Sequence, residues 1–187
     1  MLCLGVDPDL HDLSIGAWGD QGPITAFVVH VPTEKGRVEN EAALAMMRAL
    51  TAAWPGLAEP KASAVEAQEL RRAGVRRHAR PQDIVTLAQV AGMAVMRLAA
   101  TFPRSPIYFP KPSQWKGEIP KAVMQARLYS ELGWGYVTPP SADYSRPERP
   151  PASFSPVSKG QWKHVGDALL LARWCWEQEA GYKWLRS

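Results

Sequence analysis

The sequence predicts an α/β domain on one mixed sheet, an antiparallel meander continued by parallel crossovers and flanked by helices. Three observations carry that expectation. Short apolar runs separated by Asp, Gly and Pro crowd the first 31 residues, two later apolar runs alternate with helical patterns, and 187 residues suit one domain with a core of its own.

Leu2–Val6, Leu13–Trp18 and Ile24–Val31 read as three strands joined by tight turns. From Val38 to Trp54 the apolar positions Ala42, Leu44, Ala45, Met47, Leu50 and Ala53 recur at helical spacing until Pro55-Gly56, which predicts a first long helix. Ala62–Val65 reads as a fourth strand that delivers Glu66 at its tip. An arginine-rich loop follows. Pro81 suits a helix start, and the stretch 84–100 is apolar on nearly every face, so this helix needs cover on every face, inside the monomer or from a partner subunit. Ile107–Phe109 is a fifth strand between prolines, Lys121–Leu132 a further helix, and Lys163–Glu179 the last. Residues 139–156 hold six of the 17 prolines and predict an irregular loop, at about 137–162, before the C-terminal helix of a single domain spanning 1–187.

Composition narrows the class. Hydrophobic residues at 46% and charged residues at 21% exclude wholesale disorder and collagen-like repeats. Cys3 and Cys175, at opposite ends and outside any CxxC pair, support neither a disulfide framework nor a cysteine zinc site, and a reducing, cytoplasmic location is the simpler expectation. No apolar run approaches the roughly 18 residues of a membrane span. The net charge of +4 hides an asymmetry, −5 over residues 1–60 against +9 over the rest. Its densest part is Arg71, Arg72, Arg76, Arg77 and Arg80, opposed only by Glu69. Such a local excess neutralises phosphates, although a solvated loop is the plainer alternative.

Active sites on such sheets lie at the carboxyl ends of strands. Asp7 ends the first strand, Glu66 ends the fourth, and His164 and Asp167 lie three apart, hence on one face of the last helix. An oxygen-rich cluster with an imidazole suits Mg2+ or Mn2+, and two such ions can activate a water and stabilise the leaving oxygen of a phosphodiester. Each element has a plainer explanation: Asp7 as a turn cap, Glu66 paired with an arginine of the next loop, and Asp167 as an acid near a helix N-terminus. Their joint occurrence on converging elements favours the metal.

The segments LGVDPDLHDLSIGAW, SAVEAQ, TLAQVAGMAVMRLAA, PSQWKGEIPKAVMQARLY and HVGDALLLARW occur in an order and at separations that resemble the RuvC family of Holliday junction resolvases. The resemblance covers most of the chain and implies a ribonuclease-H-like fold with a five-stranded sheet. It also implies a homodimeric endonuclease that nicks branched DNA with Mg2+ or Mn2+, two ions per site, working in the cytoplasm at the nucleoid. By that likeness Asp7, Glu66, His164 and Asp167 match the acidic metal-binding quartet, whose penultimate position accepts Asp or His. Lys121 matches a lysine near the scissile phosphate, and Lys116 lies in the same basic strip. The helix over 84–100 is the expected dimer contact. Three departures stand out: Asp9 occupies a position usually held by glycine, Ala67-Gln68-Glu69-Leu70 lacks the aromatic often found after the acid, and the proline-rich segment resembles an insertion. This divergence suggests a phage or prophage member.

Rival readings are a ribonuclease-H-like exonuclease and a non-catalytic branched-DNA-binding protein. The exonuclease pattern pairs DxE with a histidine about five residues before the last Asp, whereas this chain has Asp7-Pro8-Asp9 and His164 three before Asp167. Sugar kinases of the actin type need glycine-rich phosphate loops and roughly twice this length. Trp115, beside Lys116, is the one tryptophan that suggests stacking on a base.

Overall fold

A computed structural model describes residues 1–9, 12–30, 33–34, 37–38, 58–67, 81–151, 154 and 158–181. The chain folds as β1 (Leu2–Pro8), β2 (Asp12–Gly19), β3 (Gly22–His30), β4 (Thr33–Glu34), β5 (Arg37–Val38), β6 (Ala62–Val65), α1 (Pro81–Thr101), β7 (Ile107–Tyr108), α2 (Pro112–Trp115), α3 (Lys121–Glu131), β8 (Tyr136–Val137), β9 (Arg146–Pro147) and α4 (Trp162–Ala180). The main sheet has the order β3-β2-β1-β6-β7. The first three strands are antiparallel neighbours, while β6 joins β1 and β7 joins β6 in parallel. The expected five-stranded mixed sheet with flanking helices is the observed fold.

Strand alternation sorts β1 between two cores. Leu2, Leu4 and Val6 join Leu13, Ile15 and Val65 beneath Val90, Ala94 and Leu98 of α1. Cys3 faces the other way, into a core shared with Leu169, Ala172 and Cys175 of α4 and Leu128 and Tyr129 of α3. Gly5 and Gly16 are partners in the β1–β2 register, and both lie where α4 crosses. A Cβ on Gly5 would fall 2.1 Å from the Ala168 carbonyl oxygen, and one on Gly16 2.8 Å from the Leu169 nitrogen. These two glycines let the helix rest directly on the sheet. That close approach places the residues one turn before Ala168 over the carboxyl end of β1.

Three local readings are corrected. Val38, expected to open the first long helix, instead pairs with Thr33 in a short hairpin, because only one side of its flanking sequence carries the helical pattern. The remainder of that helix lies outside the described residues, as do Arg71, Arg72, Arg76, Arg77 and Arg80. Within the proline-rich segment a small ladder joins Tyr136 to Pro147 and Val137 to Arg146, since prolines tolerate the outer edges of a two-stranded pairing. Trp115 is only 1% exposed, so it belongs to the core and is no stacking platform. Its ring instead carries Lys116, whose Nζ lies 5.0 Å from the ring centroid. Among the described residues no helix is long and apolar enough to cross a membrane.

Candidate active site

Asp7 and Glu66 meet because β1 and β6 run in parallel as central neighbours. Val6 pairs with Val65, and the Glu66 N–H then donates to the Val6 carbonyl at 3.0 Å. The ladder therefore continues one residue past β6 and sets the two carboxylates side by side. From above, α4 brings Asp167 onto the same spot. One ligand oxygen each from Asp7, Glu66 and Asp167 lies within 4.8 Å of the others. Asp7 and Asp167 are buried, and Glu66 is half-buried.

His164, one turn before Ala168 on α4, stands beside the triad. Its Nδ1 lies 3.0 Å from Asp7 Oδ2, and its Nε2 lies 3.0 Å from Asp9 Oδ2. Burial opposes the charged imidazole, but hydrogen bonds and Coulomb attraction from Asp7 and Asp9 outweigh it and raise the pKa to about 9. The metal-free site thus favours the charged imidazole, with Asp7 and Asp9 on either side of the ring. Asp9, where the family resemblance leads one to expect glycine, thus provides the second half of the clasp.

Lys121 opens α3 and reaches across to Asp167, with Nζ 2.5 Å from Oδ2. Burial works against its charge, yet Asp167, Asp7 and Glu66 together raise its pKa. For Glu66 and Asp167 burial prevails and disfavours the charged form. Burial, with the nearby Asp7 and Asp167 charges, raises Glu66 to about 8 despite Lys116 and Lys121. Burial likewise raises Asp167 to about 6, against the pull of Lys121. The three acids thus lie beside two basic groups, Lys121 and His164, both turned toward aspartates. Glu66 Oε2 is buried and has no hydrogen-bond partner among the described residues.

That orphaned oxygen is the strongest indication that the site fits a cation. Carboxylate oxygens converging in a buried pocket are the donor set that Mg2+ and Mn2+ prefer, and no thiolate competes for a softer metal. Gln125, which the sequence reading did not single out, lines the same wall. Its Nε2 donates to Asp167 Oδ1 at 2.9 Å. Its spacing of four from Lys121, on one helical face, is the signal that points to it.

Neither a protein-family model nor a curated protein matches the chain. Among solved structures, RuvC from Thermus thermophilus in complex with a Holliday junction substrate matches with a TM-score of 0.61 at 18% identity, over 97% of this chain and 96% of that one. A second structure of Thermus thermophilus RuvC gives 0.59 at 17% identity, covering 97% of both chains. The chain has a RuvC-like fold. At such identity the likeness concerns the fold alone, which is ribonuclease-H-like.

Proposed function

We propose that this protein is a structure-selective, metal-dependent endonuclease that resolves four-way or other branched DNA. The observation that carries the reading is the convergence of Asp7, Glu66 and Asp167 within 4.8 Å at the carboxyl edge of a RuvC-like sheet. These three residues would hold Mg2+ or Mn2+. When bound, two such ions supply Lewis-acid activation of a water and charge stabilisation of the leaving oxygen. The chain's own groups do the rest. Lys121 holds Asp167 in the free protein and stabilises charge on the reacting phosphate. His164 orients Asp7, and it would serve as a ligand or position the water once one of its two ring N–H protons is released. Hydrolysis forms one bond from water oxygen to phosphorus and breaks the bond to the leaving oxygen, which takes a proton.

Binding is assigned to Lys116 near this edge and to the arginine-rich stretch that follows Glu66 in the sequence. Lys116 and the arginines at 71, 72, 76, 77 and 80 would contact phosphates, which position a duplex without reading its bases. A homodimer would present two such sites to symmetric strands. Its proposed contact is α1, where the face opposite the sheet exposes Val85 at 51% and Met96 at 74%, among the exposed Ala88, Gly92 and Ala99.

The deciding experiment is cleavage of a panel of four-way junction, flap, nick and linear duplex with Mg2+ or Mn2+. Paired nicks in the junction, lost in Asp7→Asn and Asp167→Asn with junction binding retained, are expected. Binding without cleavage would favour a non-catalytic junction-binding protein. Degradation from duplex ends would favour an exonuclease.

A further inference from the structure

One wholly buried polar side chain joins the metal pocket to the proline-rich segment. Gln125, one turn after Lys121 on α3, donates from Nε2 to Asp167 Oδ1 at 2.9 Å and to the Lys163 carbonyl at 2.8 Å. Its Oε1 accepts from the Ser145 N–H at 2.9 Å. Both amide hydrogens are therefore used, and the orientation is dictated by chemistry. A flipped amide would set oxygen against a carboxylate and a carbonyl, and NH2 against an N–H.

The surroundings hold Gln125 from both ends. On α4, a Cβ at Gly166 would lie 2.7 Å from Gln125 Nε2, so the glycine beside Asp167 makes room for the amide. On the far side Ser145 is itself pinned, its Oγ donating to the Ala122 carbonyl at 2.9 Å and lying 2.7 Å from Thr138 Oγ1. Asp167 is thus gripped on Oδ1 by Gln125 and on Oδ2 by Lys121. Each oxygen keeps a second lone pair. The neutral amide fixes the carboxylate without cancelling the charge a cation needs, which the lysine alone cannot do.

We propose that Gln125 is the positioning residue that aims Asp167 at its metal, braced in that role by Ser145 of the proline-rich segment. The inference rests on the metal-dependent reading above. Partners that orient a ligand typically change metal affinity by about 10–100-fold when removed. A purely structural strut changes stability instead.

The test measures Mn2+ affinity by calorimetry on the full-length, metal-free protein, alongside thermal stability and the Mn2+ dependence of junction cleavage. Gln125→Met keeps the volume and removes both grips. It is expected to weaken Mn2+ binding about tenfold, raise the Mn2+ concentration for half-maximal cleavage by the same factor, and recover most of the rate at saturating Mn2+. Val165→Ala, an apolar truncation on α4 that leaves the Asp167 side chain and its two grips in place, is the stability control. Unchanged Mn2+ affinity in folded Gln125→Met would overturn the proposal. So would an equal loss in Val165→Ala at equal loss of thermal stability. Should Gln125→Met fail to fold, Gln125→Leu carries the same comparison. A wild-type protein that takes up no Mn2+ would overturn the metal reading and this inference with it, and the wild-type titration alone separates that outcome from the others.

Discussion

Glu66→Gln is expected to make the metal-free protein more stable while removing its activity. The folded state raises Glu66 from 4.5 to about 8, so it favours the neutral acid. Below the unfolded value both states are protonated and the substitution changes little. As pH rises from about 4.5 through 8 the unfolded chain ionises first, and wild-type stability falls by about 1.4 kcal/mol for each pH unit in that window. The ceiling is roughly 3 kcal/mol at pH 7 and roughly 5 above pH 8. Because Glu66 and Asp167 influence each other's ionisation, about half of that is the working figure. For a chain of this size it corresponds to a melting temperature about 3–8 °C higher for Glu66→Gln at pH 7–8. The neutral amide also gives the pocket a donor toward Asp7 and Asp167. His164, raised to about 9, contributes stability that is complete below about 6.5 and is lost as pH rises through 9. Both proteins share that loss, so the difference between them isolates Glu66. The assay is thermal unfolding from pH 5 to 9 with and without Mn2+. Mn2+ should raise the wild-type melting temperature and leave Glu66→Gln nearly unmoved. A stability difference that is absent, reversed or constant across this pH range would refute the reasoning.

Lys121→Ala should impair cleavage far more than junction binding. It should also cost about 1–3 kcal/mol, less than a fully buried pair, because Lys121 is partly exposed, and denaturant titration reads that loss. Met96→Glu should yield a folded monomer by light scattering, whereas Val90→Glu, on the sheet side of α1 and fully buried, should fail to fold. An unchanged dimer in Met96→Glu would exclude α1 as the contact. Gly5→Ala sets a methyl 2.1 Å from the Ala168 carbonyl oxygen, an encounter with backbone that no rotamer relieves. It is expected to cost on the order of 3 kcal/mol and to lower Mn2+ affinity in the folded fraction by lifting α4 from Asp7, as calorimetry would show.

Asp7 and Glu66 were legible because each ends an apolar run, and Asp167 because it stands three residues after His164 on one face of the last helix. Parallel pairing of the first and fourth strands then places the first two side by side. The sheet was legible from the same apolar runs, and the helix over 84–100 needed only its ends extended. What escaped detection depended on register in three dimensions. Gln125 looks like any polar residue on an amphipathic helix until α4 is laid across α3 and Gly166 falls beside its amide. Trp115 looks available beside Lys116, yet a bulky indole after a proline-initiated turn is drawn into the core. The apolar circumference of α1 predicted a partner but not which face would meet it. Val90 and Ala94 went to the sheet, and Met96 stayed outside.

The two cations of the pocket divide its carboxylates unequally, and the division explains where stability and chemistry conflict. His164 is committed to Asp7 and Asp9, and Lys121 to Asp167. Among the described residues Glu66 receives no such partner, only the fields of Lys116 and Lys121. A divalent cation would oppose the burial that raises the Glu66 pKa, so its uptake favours release of a proton from this carboxyl. Replacing that acid by an apolar residue or an amide would relieve the fold at once. Its presence beside Asp7, at the end of a strand where a neutral residue would be cheaper to bury, is what the proposed metal site accounts for.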